Sequence, residues 1–184
     1  MNEKNYALFG IFGPLLAFVS IGVSIALSPW FSWEKSALSD LGHAVESGVA
    51  PIFNFGLFLT GFFLTIYAVK VLKRYARWTG YSLVISAFTL QLVAVFDEVY
   101  GLLHLVVSIL FFVSLGVTSL FYAVERKSYS ALAAFSIGLI SWAFYWAEFY
   151  SAGVAVPETI SSVAVLFWII PSALRIYMSA CHTK

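Results

Sequence analysis

Asp40, His43, Asp97 and His104 are the side chains of this 184-residue chain whose types and spacing suit chemistry. A carboxylate beside an imidazole can pass a proton as general acid and base, or hold a divalent metal ion and acidify its water. Asp97 and His104 lie seven residues apart, which on one continuous helix places them two turns apart on nearly the same face. The intervening Val99, Tyr100 and Gly101 argue for a tight turn instead, with Asp97 closing one helix and His104 in the first turn of the next. Either geometry sets the two at similar depth and lets them converge. Asp40, Asp97 and His104 are therefore the catalytic candidates, and His43, Asp97 and His104 the candidate metal ligands. Ser39, Asp40, His43, Asn54, Asp97, His104 and Glu148 make the candidate ligand-binding set. Glu98 and Glu158 also fall at or within apolar sequence, where an ionisable group is costly without a partner. Glu158 follows Pro157 at a helix start, so its plainest reading is an acid favoured by the helix dipole.

The elements that position these groups are membrane helices. The chain is 61% hydrophobic and 10% charged, and its mean hydropathy is +0.93. That leaves too little polar surface to cover a water-soluble globule. Apolar runs over residues 6–27, 51–72, 78–96, 102–124, 129–150 and 155–178 each approach or exceed the ~20 residues that span about 30 Å of hydrocarbon. The fold class predicted is an all-α, integral-membrane bundle of six transmembrane helices, one domain over 1–184, with an interfacial loop at 28–50 as its sizeable extramembrane segment. The first run has an acid as well as a lysine before it and lacks a small-x-small cleavage site, so it reads as a retained helix. If all six cross, every lysine and arginine except Lys35 lies on one side. The positive-inside tendency then places both termini in the cytoplasm of a cell-membrane protein. Glu34, Asp40, Glu46, Asp97, Glu98, Glu148 and Glu158, with His43 and His104, face the opposite side.

Trp30, Phe31 and Trp33 suggest that the 28–50 loop lies in the interface, with Ser36 or Ser39 capping a short helix and Gly42 ending it. Asn54, one turn into the second span, needs a hydrogen-bond partner, and the Ser39–Asp40 region is nearest in sequence. The aromatic run from Trp142 to Tyr150 reads as an interfacial belt, with a ligand cage as the alternative. Gly10, Gly13, Gly56 and Gly61 allow close helix packing, inside the bundle or across a homo-oligomer. The single cysteine, Cys181, precludes an intrachain disulfide and reads as a solvated tail thiol, with a palmitoylation site as the alternative. Membrane lipids are the partners expected. Nucleic acid is excluded by a net charge of +1 and the lack of a basic groove.

Leu38, Ser39, Asp40, Leu41 and Gly42, then Phe53 and Asn54, then Phe96, Asp97 and the run Gly101 to His104 resemble an uncharacterised prokaryotic and archaeal family of six-span proteins, filed as a domain of unknown function. The chain is more distantly similar to the superfamily of FRAG-type and DRAM-type membrane proteins, some of which take part in lipid or GPI-anchor remodelling. In such relatives the third span ends in a Phe-Pro-x-Asp-like turn; here Phe96 and Asp97 are adjacent, without the proline. The resemblance implies a six-span fold and a site around the acid and the downstream histidine.

The functional reading from sequence is an outward-facing polar site that binds or remodels a lipid or its headgroup. One alternative is a metal-dependent membrane hydrolase acting on a lipid; no HExxH, paired-histidine, CxxC, Gly-x-Ser-x-Gly or P-loop motif supports it. Another is a partner-binding scaffold in which the polar residues pin the loop to the bundle. A small-solute transporter is the third, against which stands the lack of a charge near the middle of any span. No cofactor is specified beyond a possible divalent metal.

Overall fold

Within a bilayer a helix satisfies its own backbone, and each of the apolar runs folds as one. The computed structural model describes residues 3–182, which contain helices and turns and no strand. Six helices are long and apolar enough to cross a membrane: α1 Asn5–Ala26, α2 Ala50–Tyr75, α3 Arg77–Val95, α4 Leu102–Arg126, α5 Tyr129–Trp146 and α6 Ala155–Ser179. The chain is a multi-pass membrane protein. The side chain of Cys181 lies outside the described residues.

Boundaries shift from the sequence reading by a few residues, most at the end of α5. That helix stops at Trp146, four residues short of the predicted end, because the chain turns out in a Schellman motif. Glu148 sits at the left-handed position with φ 53°. Its amide donates to the Tyr145 carbonyl at 3.1 Å, and the Phe149 amide donates to the Phe144 carbonyl at 3.1 Å. The Phe144 and Phe149 rings stack at 5.1 Å across the motif.

Each helix packs on its neighbour in sequence, and α6 returns against α1 to close a ring. The α4–α5 seam is looser than the α3–α4 seam. Polarity is inverted relative to a water-soluble protein: Phe12, Val19, Phe55, Val113 and Phe167 are exposed, while serine and threonine hydroxyls are buried between helices. Between α3 and α4 these hydroxyls form a ladder. Thr118 bonds Ser82 at 2.8 Å and Ser86 at 3.0 Å, and Thr89 meets Ser114 at 3.3 Å. Interhelical bonds of this kind average about 0.6 kcal/mol each in lipid. Gly10, Gly13, Gly56 and Gly61 all face neighbouring helices of the same bundle, Gly56 making room for Ser20 and Gly61 for the Ala87 carbonyl.

The two ends of the ring differ. At the basic end Ala76 alone joins α2 to α3. Glu125 then caps α3, accepting from the Trp78 amide at 2.8 Å, the Thr79 amide at 2.9 Å and the Thr79 hydroxyl at 2.6 Å. The Arg126 guanidinium lies 3.7 Å above the Tyr75 ring. At the other end the loop between α1 and α2 folds down as a plug. Leu38 and Leu41 are buried against Ala17, Val49, Phe53 and Leu90, whereas Trp30 and Trp33 stay about half exposed.

Backbone and side-chain bonds shape the plug and join it to the bundle. Asn54 donates to the Gly42 carbonyl at 2.8 Å, two residues beyond the partner read from sequence. Ser47 donates to the Leu41 carbonyl at 2.8 Å. The Gly153 and Ala155 amides donate to the carbonyls of Trp33 at 2.9 Å and Ser36 at 3.0 Å. A Cβ on Gly153 would strike the Ser36 backbone, so only glycine permits this approach. Within the plug Ser39–Gly42 form a single 3-10 turn that ends at Gly42. No serine caps it; Asp40 instead accepts the Ala37 amide at 3.0 Å.

Candidate functional site

The plug, the turn between α3 and α4, and the first turn of α6 meet at the same end of the ring and bring together a polar cluster. After α3 the chain makes a 3-10 turn over Glu98–Tyr100. Consecutive residues of such a turn point about 120° apart, so the adjacent acids Asp97 and Glu98 take different roles. Asp97 caps its own turn, its Oδ1 accepting the Val99 amide at 2.9 Å. Glu98 faces the interior, where its Oε1 accepts the Ser39 hydroxyl at 2.6 Å and lies 3.7 Å from His104 Nε2. Gly101, at φ 54°, then turns the chain into α4 and sets His104 in its first turn.

His104 is fixed from both sides. Its Nδ1 donates to the Phe96 carbonyl at 2.7 Å, because a carbonyl can only accept. In the neutral ring Nε2 then carries the lone pair, facing the Ser108 hydroxyl at 3.3 Å and Glu98. From α6, Glu158 reaches the plug: its Oε2 accepts the Leu38 amide at 2.7 Å, and the residue is 7% exposed. Glu158 stands in the first turn of α6, as its position after Pro157 suggests, and the bond to Leu38 adds a long-range tie to that helix-start role. Asp40 stands on the margin of the cluster. Burial pushes its carboxyl above the ordinary value and the charge on Glu98 adds to this, against the Ala37 amide, which holds it down.

Ser39, Glu98, His104, Ser108 and Glu158 close one end of a cavity of about 790 Å³ between α4, α5 and α6. Away from that end its walls are apolar, with Phe112, Phe135, Leu139 and Val165 among them. Glu158, Ser39 and Ser108 also border a smaller apolar cavity of about 110 Å³ on the axis of the ring.

Several residues read from sequence fall elsewhere. The Asp97–His104 pair does not form, since Asp97 is spent on its own turn and Glu98 takes its place beside the imidazole. His43 accepts the Glu46 amide through Nδ1 at 3.1 Å, at the exposed edge of the plug. Asn54 ties the plug to α2 and Glu148 is exposed on the Schellman turn. His43, Asp97 and His104 do not gather as metal ligands, and among the described residues no three His, Cys, Asp or Glu side chains do. His104 and Glu98 offer two donors where zinc takes three or four from protein. Glu98, Ser108 and Glu158 were left out of the site by sequence reasoning. For the two glutamates the available signal was an acid set in apolar sequence; for Ser108 it was only the spacing of one helical turn from His104.

The arrangement thus sets the Glu98 carboxylate 3.7 Å from the His104 imidazole, beside the buried Glu158 and the Ser39 and Ser108 hydroxyls, at one end of an apolar chamber. Neither a curated protein nor a solved structure matches the chain. One protein family does, over residues 11–175, which include all six spans in whole or large part together with the polar cluster; the chain belongs to the family described as Protein of unknown function (DUF998).

Proposed function

We propose that this protein binds a membrane amphiphile, with the apolar part in the α4–α5–α6 cavity and the polar head at the Glu98, His104 and Glu158 end. The cavity carries the reading. Its volume of about 790 Å³ falls within the roughly 300–1,000 Å³ of small-molecule sites, and its apolar walls with a few polar groups at one end are the lining such sites have. The looser α4–α5 seam gives a chain a way in from the bilayer. With the basic end in the cytoplasm, as the positive-inside tendency favours, the polar cluster opens on the far leaflet of the cell membrane. A metal-dependent hydrolase draws less support, because the candidate ligands are dispersed.

The test is occupancy of the chamber. Gly138 lines it, and a Cβ there would meet Ser161 Oγ at 3.4 Å, ordinary contact that a larger side chain extends into the chamber. Native mass spectrometry of the purified protein in neutral detergent, with monopalmitoylglycerol added, is expected to show a one-to-one adduct that Gly138→Phe removes. An adduct that survives Gly138→Phe in full would place binding elsewhere and end the proposal.

A further inference from the structure

Resting on that reading, we propose that the head group recognised is a cation: an ammonium-bearing amphiphile whose acyl chain is joined through a carbonyl-containing linkage. Charge at the closed end is the first ground. Glu98 and Glu158 both line the cavity, and Asp40 and Glu98 are near enough to act electrostatically on Glu158. No lysine or arginine lines the cavity among the described residues; Lys35 is exposed, and His43 sits at the edge of the plug outside the cavity lining. His104 is the sole basic group in the lining, and Glu98 is the acid it faces. Ionising these acids together at a buried site is costly, and a bound ammonium offsets that cost, whereas a phosphate would add to it.

Aromatic walls are the second ground. Trp142, Tyr145 and Trp146 line the chamber from the last turns of α5, at the same end as the acids. Trp142 meets Tyr145 at 6.2 Å with planes 85° apart, and Tyr145 meets Trp146 at 5.5 Å and 75°. Rings turned edge to face in succession present π surfaces in several directions, the arrangement that suits a quaternary or primary ammonium.

Two unpaired donors extend the inference to the linkage. Ser161 is 8% exposed and its hydroxyl has no partner, and the indole N–H of Trp142 is likewise buried and unpaired. Both residues line the chamber. A buried donor without an acceptor is rare, and an indole N–H can do nothing but donate. Turned toward the chamber, these groups would find their acceptor in an ester or amide carbonyl beside the ammonium.

The experiment compares three ligands that share one palmitoyl ester: palmitoylcholine, monopalmitoylglycerol and palmitoylglycerol phosphate, with tetramethylammonium as the tail-less arm. Affinities are read by native mass spectrometry on the full chain in neutral detergent. Palmitoylcholine is expected to bind at least about tenfold more tightly than monopalmitoylglycerol, and the phosphate most weakly. Tetramethylammonium alone is expected to bind far more weakly than palmitoylcholine, because the chamber holds the chain. Glu98→Gln and Trp142→Leu, each checked for an unchanged unfolding temperature, are expected to shrink the preference for palmitoylcholine. Equal affinity for the choline and glycerol esters, both lost in Gly138→Phe, would overturn the cationic head and leave the chamber standing. Binding of none of the three esters, or binding indifferent to Gly138→Phe, would overturn the chamber itself.

Discussion

Truncating Glu158 tests what fastens the plug to the bundle. Glu158 and Leu38 are each 7% exposed, and the carboxylate accepts the Leu38 amide at 2.7 Å across 120 residues of sequence. Glu158→Ala leaves that amide buried without an acceptor, which costs about 1–3 kcal/mol, and removes a hydrogen bond worth about 0.5–1.5 kcal/mol. These overlap, and relief of the carboxylate's own burial opposes them, so the net loss expected is about 2 kcal/mol. Glu158→Gln keeps a carbonyl acceptor of the same reach and removes the charge, so its change is expected to stay within about 1 kcal/mol. For a chain of this length about 2 kcal/mol corresponds to roughly 4–8 °C in unfolding temperature. The assay is thermal unfolding in neutral detergent followed by tryptophan fluorescence, with amide hydrogen exchange at Ala37 to Asp40 as the local readout. The alanine variant should lose protection there and the glutamine variant should keep it. If both variants unfold together, or if alanine leaves the temperature and the exchange unchanged, the carboxylate is not what holds the plug.

Asp40→Asn tests the electrostatics of the same end. A carboxyl raised by folding contributes stability that is fully present below its ordinary value of 3.8 and is lost as pH climbs through the raised value. The asparagine variant should therefore gain on the wild type as pH rises from about 3.5 to 7, read as the difference in unfolding temperature; a difference independent of pH would refute this. Trp168 tests the basic half of the core. It is 1% exposed, stacks on Tyr122 at 4.5 Å and donates to the Ser119 hydroxyl at 3.0 Å. Trp168→Ala should cost about 3 kcal/mol, the low end of such losses because lipid removes most of the transfer term, and Trp168→Phe about 1 kcal/mol. Chemical denaturation in mixed micelles that ranks the two equal would show that the stacked ring carries none of the difference.

What the sequence conveyed and what it hid divide along the range of the interactions. Span number and approximate ends follow from run length and backbone satisfaction, both local properties, and the helices match them closely. Asn54 was placed to within two residues of its partner because the partner lies only twelve residues away. The choice between Asp97 and Glu98 was not legible, because it depends on where a 3-10 turn begins, and a shift of one residue exchanges the acid that faces inward. Glu148 was drawn into the site by a helix that ends four residues earlier than its apolar pattern, at a left-handed position usually held by glycine. Glu158 was hidden most completely. Pro157 before it gave a sufficient local account, and nothing near it in sequence points to an amide in the first loop.

The hydroxyl ladder between α3 and α4 bears on how the protein is made. α3 is among the least hydrophobic of the six spans, and it carries Ser82, Ser86 and Thr89 on the side that faces α4. Leaving the translocon alone, that helix would enter lipid with less apolar free energy than α1 or α4, its hydroxyls turned back on its own carbonyls. Thr118 and Ser114 arrive only when the next span is synthesised. The ladder thus couples the two spans in biogenesis: α3 gains its interhelical bonds only as one arm of a hairpin with α4.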